Sequence, residues 1–306
     1  MTSSEPAPRP LPSVGSPLAG AALAGAGVWL VWWALVSKRA GQALDALALE
    51  GSRLGSSRLD DQADQLLSTV SVPLVAAIIG VVVLIGVLRG RWVAALAAAI
   101  AVGGANVTTQ VLKHRLFERD DLLGLGAWNA TNTLPSGHTT VAAAALTGLL
   151  LVVPPALRSL TAAIGVLTVT AYGFATLVNH WHRPSDVAAA VLVACGWGGL
   201  GVAVIRLAEH LGPRRDVAHR PGAMSVILVT LSICSLALCV AAGFLAWGTE
   251  PQEASSTIAL IAYIGGIAAL VGVTFGGFGA LLRLLDATRP MTREQVRDVT
   301  AAGQPG

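Results

Sequence analysis

The sequence has few charged residues, few aromatic residues and almost no cysteine. Charged residues make up 12% of the 306 positions, aromatic residues 5%, and there are three cysteines. So little charge argues against an ordinary soluble domain. Cys195, Cys234 and Cys239 all stand inside apolar runs, which argues against a disulfide framework and a cysteine metal site. What the chain does have is 54% hydrophobic residues, a composition typical of membrane proteins.

Long apolar runs recur along the chain at lengths that suit membrane-spanning helices. Their mixture of Ala, Gly, Leu and Val favours close packing of helices in lipid. The sequence therefore predicts an all-α integral membrane protein with about eight spans, at 18–37, 70–88, 92–112, 138–154, 160–179, 186–207, 223–247 and 257–282. The run 138–154 is short and ends at two prolines, which also fits a buried helix.

The first run resembles a signal peptide only in part. A single arginine precedes it, and Lys38 and Arg39 follow it where a small-residue cleavage site would stand, so we expect an uncleaved helix. Leucines spaced through 37–69 predict a short amphipathic helix at the membrane surface. The expected organisation is a disordered tail, a six-helix membrane core, a cytoplasmic linker, an additional helix pair and a polar tail, at 1–17, 18–207, 208–222, 223–283 and 284–306.

The basic residues indicate an orientation rather than a charged partner. With eight spans and both termini inside, 12 of the 20 Lys and Arg residues fall on the inner side. This bias agrees moderately with the positive-inside rule and predicts cytoplasmic termini in a plasma (inner) membrane. We expect the lipid bilayer as a partner and no nucleic acid, and oligomerisation with further copies stays open.

Three polar clusters interrupt the apolar pattern, each at the end of a predicted span. The first closes the third span, the second begins the fourth, and the third joins the fifth and sixth: "KHRLFER" at 113–119, "PSGH" at 135–138 and "HWHRPSD" at 180–186. Alternating spans bring all three clusters to one side of the membrane, which the charge bias makes the extracytoplasmic side. Ionisable residues beside a span indicate a functional site when they face an aqueous cavity.

These residue types together suit phosphoryl transfer. Lys and Arg supply positive charge and donors for a phosphate. A serine and a glycine just before a helix offer a hydroxyl and backbone N–H groups to an anion. One histidine can attack phosphorus while another protonates the leaving oxygen, and a carboxylate can orient the attacking ring. His182 and Asp186 are four residues apart, so they can share one face of a helix. This chemistry requires neither a metal nor a cofactor.

The three clusters resemble the type-2 phosphatidic acid phosphatase superfamily of membrane phosphatases. Its motifs run Lys-x6-Arg-Pro, Pro-Ser-Gly-His and Ser-Arg-x5-His-x3-Asp. The second motif is intact at 135–138, and His182-x3-Asp186 fits the end of the third. The resemblance covers about residues 18–207, so it implies a six-helix phosphatase-like core and leaves the last two spans outside.

The resemblance also implies a role for each matching residue. His182 would be the nucleophile that forms a phosphohistidine, Asp186 would orient it, and His138 would be the general acid. The phosphoryl oxygens would be held by Lys113, Ser136 and Gly137.

Two departures from the motifs affect the phosphate site. Position 120, where the first motif has Arg, is Asp, and Arg119 stands one residue early. The Ser-Arg pair of the third motif falls on Ala175 and Thr176. Arg183, next to the proposed nucleophile, or Arg115 is positioned to compensate.

The expected function is hydrolysis of a lipid phosphate or a prenyl phosphate or pyrophosphate, an amphiphilic substrate with its tail in the bilayer. A transferase that passes the phosphoryl group to an alcohol, a non-catalytic lipid-phosphate-binding protein and a transporter stay open as alternatives. Each cluster taken alone also fits a structural role, as an interfacial anchor, a capped turn or a helix-end pair.

Overall fold

The computed structural model describes residues 13–54, 59–211 and 222–286, and helices make up 82% of this part of the chain. The helices are α1 Gly15–Val31, α2 Arg39–Ser52, α3 Asp60–Leu67, α4 Val72–Leu88, α5 Trp92–Val111, α6 Ala127–Ala130, α7 Gly137–Val152, α8 Arg158–Val178, α9 Pro184–Leu211, α10 Ala223–Ala246 and α11 Ser256–Asp286. Single π-helical turns extend α1 over Trp32–Val36 and α5 over Leu112–Leu116. The chain is an all-α integral membrane protein.

The eight predicted runs all fall on helices, but they do not all have spanning length. Among the described residues, six segments of 22 to 31 residues are long and apolar enough to cross a membrane: Gly15–Val36, Trp92–Leu116, Pro155–Val178, Pro184–Glu209, Ala223–Ala246 and Ser256–Asp286. A seventh span results if α3 and α4, which meet at a bend of 61°, count as one. Helix α7 has 16 residues, short of the roughly 20 that a bilayer requires, and most of them are buried. The short run is therefore a core helix.

The largest apolar core joins seven helices. Buried side chains contact one another there from α4, α5, α7, α8, α9, α10 and α11, among them Ala98, Leu150, Val166, Val191 and Phe278. Helix α11 thus contributes to the same core as the helices of the predicted six-helix unit. Helix α10 packs along α11 and exposes large apolar side chains, including Val240 and Phe244, as a lipid-facing helix does.

Two buried arginines hold the end of α11 that lies away from the polar clusters. Arg158 Nη1 donates to the carbonyl of Leu285 over 2.7 Å, and Arg206 Nη1 donates to Ser16 Oγ over 2.8 Å. Arg206 Nη2 also donates to the carbonyl of Leu284. The last carbonyls of a helix lack partners within the helix and carry partial negative charge, so guanidinium groups stabilise them. These arginines thus have a structural role besides any effect on orientation.

The predicted surface helix within 37–69 is present as α2 and α3, but α2 is not a surface helix. Gln42 and Leu47 on α2 are fully buried, and Asp45 is 3% exposed. Helix α2 packs against α11, and its polar residues find hydrogen-bond partners inside the protein. The surface prediction was wrong because an amphipathic pattern does not specify whether the polar face meets water or buried polar groups.

The predicted terminal tails and the linker lie largely outside the described residues. Within the described part, α1 already begins at Gly15, α9 continues to Leu211 and α11 to Asp286. The helices therefore extend a few residues into each of these predicted segments.

Candidate active site

The three polar clusters meet at one end of the helix bundle. The Ser136 N–H donates to the Asp186 carbonyl over 2.9 Å, which joins the loop before α7 to the first turn of α9. The Asn132 amide donates to the carbonyls of Lys113 (3.0 Å) and Phe117 (2.9 Å), which joins the same loop to the end of α5. The predicted meeting of the three clusters is therefore present in the structure.

His182 and Asp186 form a buried pair at the start of α9. The distance from His182 Nδ1 to Asp186 Oδ2 is 3.1 Å, and the two residues are 6% and 1% exposed. Pro184 begins α9, where proline is favoured because the first helical N–H has no partner in the helix. Asp186 lies in the first turn, where the helix dipole stabilises a carboxylate.

Asp186 accepts further hydrogen bonds that fix its carboxylate. Its Oδ2 accepts from the Arg183 backbone N–H over 2.9 Å and from Thr133 Oγ1 over 2.6 Å. The Arg183 guanidinium donates from Nη1 to Thr133 Oγ1 over 3.1 Å. When His182 Nδ1–H donates its hydrogen bond to Asp186, the lone pair of the His182 ring is on Nε2.

The turn that carries His182 is built on the end of α8. The Thr176 carbonyl accepts hydrogen bonds from the N–H groups of Trp181 (3.1 Å) and His182 (3.2 Å). His180 adopts the left-handed conformation, with φ of 57°, which reverses the chain between the two helices. The Thr176 hydroxyl donates to the Gly173 carbonyl over 2.7 Å within its own helix, so the residue at the motif's arginine position has a local structural role.

His138 and Lys113 lie on the more open side of the pair. His138 is half-buried, and its ring centroid is 5.4 Å from that of Trp181. His138 interacts electrostatically with His182 and with Lys113, and Lys113 interacts with Asp186. Lys113 lies in the π-helical turn that ends α5, an irregularity that is frequent at functional sites.

Ser136 and Gly137 occupy the beginning of α7. Ser136 is fully buried, and its Oγ accepts from the Thr139 N–H (3.4 Å) and from Thr139 Oγ1 (3.1 Å), so it is the N-cap of the helix. Gly137 has open space beside its Cα, because an added Cβ would meet no atom within 4 Å. The backbone at Gly137 is thus accessible, whereas the Ser136 oxygen is already engaged.

Arg119 is buried and turned toward the loop that follows it. Its Nε donates to the Asn129 carbonyl over 2.8 Å, and its Nη2 lies 3.4 Å from Asn129 Oδ1. Burial, and to a smaller extent Arg119, lowers the pKa of Arg183, whereas Asp186 and Asp45 act in the opposite direction. The two guanidinium groups therefore lie within electrostatic reach of each other and of the two carboxylates.

Sequence reasoning missed the support that α2 gives to this site. Asp45 on α2 accepts hydrogen bonds from the hydroxyl and the backbone N–H of Ser185, the latter over 3.3 Å. Burial raises the pKa of the Asp45 carboxyl to about 6, although Arg119 and the bond from Ser185 act in the opposite direction. In the sequence, Asp45 is an ordinary polar position of an amphipathic helix, and nothing in that pattern identifies Ser185 as its hydrogen-bond partner.

Within the described ranges, His, Cys, Asp and Glu form no group of three or more that could hold a metal ion. Asp121, one of two acids beside the site, accepts hydrogen bonds from the Gly126 N–H and the Asn129 amide and so stabilises its own loop.

A comparison with family models matches residues 92–210 to the PAP2 superfamily. The matched segment contains all three polar clusters, and the match confirms the resemblance that the motifs indicate. It supports a phosphatase-type fold in general. Neither the curated proteins nor the solved structures gave a match to this chain.

Proposed function

Residues 92–210 of this chain match the PAP2 superfamily. We propose that the protein hydrolyses the phosphate of an amphiphilic substrate through a phosphohistidine. The observation that carries this proposal is the buried His182–Asp186 pair, 3.1 Å apart, with His138 and Lys113 within electrostatic reach. These groups supply a nucleophile, an orienting carboxylate, a proton donor and a fixed positive charge.

In the first step the Nε2 lone pair of His182 attacks phosphorus and the P–O bond to the leaving alcohol breaks. Protonated His138 gives its proton to that alcohol oxygen. The Nδ1–H bond to Asp186 stabilises the positive charge that develops on the His182 ring. The products of this step are a free alcohol and a phosphoryl group on His182.

In the second step water attacks the phosphoryl group on His182. Neutral His138 now accepts a proton from the water while the P–N bond breaks and its electron pair returns to Nε2. Inorganic phosphate leaves, and both histidines regain their starting protonation states.

The phosphoryl oxygens are held by charge and by backbone N–H groups. Lys113 supplies a point charge from the end of α5, and the beginning of α7 at Gly137 offers N–H groups next to open space. The third motif has arginine where this chain has Thr176. Arg183 supplies a guanidinium group in its place, because Arg183 adjoins the nucleophile. Arg119 contributes charge from behind Asn129, and the Ser136 hydroxyl contributes by holding the helix start.

The substrate class follows from where the site lies. The polar groups stand at the ends of long apolar helices, so a substrate with a lipid or prenyl tail can keep the tail in the bilayer while its phosphate or pyrophosphate reaches His182. The charge bias of the sequence supports placing this end at the extracytoplasmic face of the plasma (inner) membrane.

The test is phosphate release by detergent-purified protein from a panel of lipid and prenyl phosphates with EDTA present. We expect release by the wild type and a loss of ~10³-fold or more in His182→Ala. His114→Ala is the matched control, because His114 is exposed on the same segment as Lys113. Folded wild-type protein that binds these lipids but releases no phosphate would exclude a hydrolase. Consumption of the lipid phosphate only when an acceptor alcohol is added, with the phosphoryl group found on that alcohol, would indicate a transferase.

A further inference from the structure

A carboxylate from outside the matched segment reaches the centre of the candidate site. Asp45 lies on α2, which precedes residues 92–210, yet it is 3% exposed and contacts Ser185, which is 1% exposed. Asp45 Oδ2 accepts from the Ser185 hydroxyl, and Oδ1 accepts from the Ser185 N–H over 3.3 Å. Ser185 stands between Arg183 and Asp186, so these two bonds hold the backbone that carries both residues.

The charges around Asp45 alternate in sign. Arg119 and Arg183 attract the Asp45 carboxylate, and Asp186 repels it. Two carboxylates and two guanidinium groups thus lie within electrostatic reach of one another near the start of α9. An acid in this place also stabilises the beginning of α9, because the first N–H groups of a helix lack partners within the helix.

Helix α2 is itself held firmly, so that Asp45 is a fixed partner. The Gln42 amide, one turn before Asp45, donates to the carbonyls of Val36 and Asp120, each over 2.7 Å. Its oxygen accepts from the Leu122 N–H and from Asn129 Nδ2, each over 3.3 Å. Gln42 therefore ties α2 to the loop that also holds Arg119.

Close packing against α11 fixes the same region from the other side. A Cβ added at Gly266 on α11 would lie 2.5 Å from Pro184 Cγ and 3.6 Å from Ala48 Cβ. Only a glycine allows α11 to approach the start of α9 and helix α2 so closely. The first turn of α9 is thus enclosed between α2 and α11.

We propose that Asp45 is a positioning residue for the His182–Asp186 pair, acting through its two hydrogen bonds to Ser185. This role rests on the proposed function, since the pair is its object. Asp45 touches neither substrate nor the reacting atoms; it sets where the Arg183–Asp186 turn lies relative to them. A nucleophile needs an orienting group within a few tenths of an ångström, and a misplacement of ~1 Å lowers rates by ~10²-fold.

The first experiment measures kcat and KM for phosphate release in Asp45→Ala, Asp45→Asn and Ser185→Ala. We expect Asp45→Ala to lower kcat by ~30-fold or more with KM within ~3-fold, because positioning affects the reacting geometry more than binding. Asp45→Asn should recover part of the loss, since its amide oxygen still accepts a bond from Ser185. The double variant Asp45→Ala/Ser185→Ala should be no worse than Asp45→Ala alone, because both changes remove the same interaction.

Glu50→Gln is the matched control, since Glu50 lies on α2 and is exposed, with Arg53 as its ion-pair partner. Its kcat should equal that of the wild type. The role is overturned if Asp45→Ala keeps wild-type kcat, if the double variant loses the product of the two single losses, or if kcat per folded molecule is unchanged and only the folded fraction falls.

A second readout does not depend on turnover. The rate at which diethyl pyrocarbonate modifies His182, followed by mass spectrometry of the His182 peptide, reports how firmly that ring is held. His182 is 6% exposed, so modification should be slow in the wild type and several-fold faster in Asp45→Ala, with Glu50→Gln unchanged. Faster modification in a protein without phosphatase activity would retain the positioning role and reject the proposed function. Equal rates in Asp45→Ala and the wild type would reject the positioning role.

Discussion

The two sides of the candidate site differ in how firmly their side chains are held. On one side is the buried turn, which consists of His182, Arg183, Ser185 and Asp186, each 6% exposed or less. On the other is the rim, which consists of Lys113, His138 and Trp181, with Lys113 and His138 half-buried and Trp181 44% exposed. The turn makes hydrogen bonds with three separate segments, namely α2, the end of α8 and the loop before α7, whereas the residues of the rim are more exposed.

The difference in burial agrees with the different roles that we propose for the residues of the turn and of the rim. A nucleophile and its orienting carboxylate act best from a preorganised position that does not change during the reaction. A proton donor and a phosphate-binding cation meet a substrate that enters and leaves, so they need access. If the proposed function is right, substitutions in the turn should change the reacting geometry, and substitutions in the rim should change how the enzyme responds to different substrates.

The largest expected effect at the rim is that of His138→Ala. Loss of the general acid should lower kcat/KM for a lipid phosphate by ~10²–10⁴-fold, because an alkoxide leaving group needs a proton. With p-nitrophenyl phosphate, whose leaving group is stable without a proton, the loss of kcat/KM should be under ~10-fold. The ratio kcat/KM covers the steps up to departure of the leaving group and so excludes the second step, in which His138 acts as the base. A similar loss of kcat/KM on both substrates would mean that His138 does not protonate the leaving group.

A smaller effect should separate the two buried arginines. Arg183→Lys keeps the charge but loses the fork of donors, and we expect kcat/KM to fall by ~10²-fold. Arg119→Lys is the matched variant, and because Arg119 bonds to Asn129 rather than standing next to His182, its loss should stay under ~10-fold. The reverse ranking would make Arg119 the phosphate ligand and Arg183 a support of the turn.

The smallest expected effect is a pH dependence of stability due to Asp45. Its pKa is about 6 in the folded protein against 3.8 for an ordinary Asp, so the folded protein holds this proton more tightly than the unfolded chain does. The resulting stabilisation is fully present below about pH 4 and is lost as the pH rises to about 6; one pKa unit is about 1.4 kcal/mol, so the loss is at most about 3 kcal/mol.

This pH dependence can be measured as the free energy of unfolding in mixed micelles at pH 4.5 and pH 7.5. Asp45→Asn should lose less stability than the wild type between these two values, because the amide does not titrate. Glu50→Gln should follow the wild type. A wild type and an Asp45→Asn variant with the same pH dependence would mean that Asp45 titrates as an ordinary exposed acid.

Much of the site was predictable because it depends on local spacing. His182 and Asp186 are four residues apart at a helix start marked by Pro184, and a helix places such residues on one face. For "PSGH" before an apolar run, a turn in which serine caps a helix was one of the open interpretations, and Ser136 is the N-cap of α7. The helical runs were predictable for the same reason, since length and apolar composition are local properties.

The partners of individual polar groups were not predictable, because they come from distant segments. Arg119 is followed ten residues later by Asn129, but no pattern in the sequence indicates that the two side chains bond. Helix α2 has the amphipathic pattern of a surface helix, and only its burial against α11 turns the polar face inward.

The sequence by itself determined that the chain is helical, that it is apolar enough for a membrane, and that a histidine and an aspartate stand four residues apart where α9 begins. Those properties follow from composition and from the 3.6-residue period of a helix. The tertiary structure alone decided that Asp45 supports this turn, that α7 is a core helix and that α11 belongs to the same core. Such contacts join residues more than a hundred positions apart, as in Asp45 and Ser185. They depend on how helices pack around buried polar groups, which no local pattern specifies.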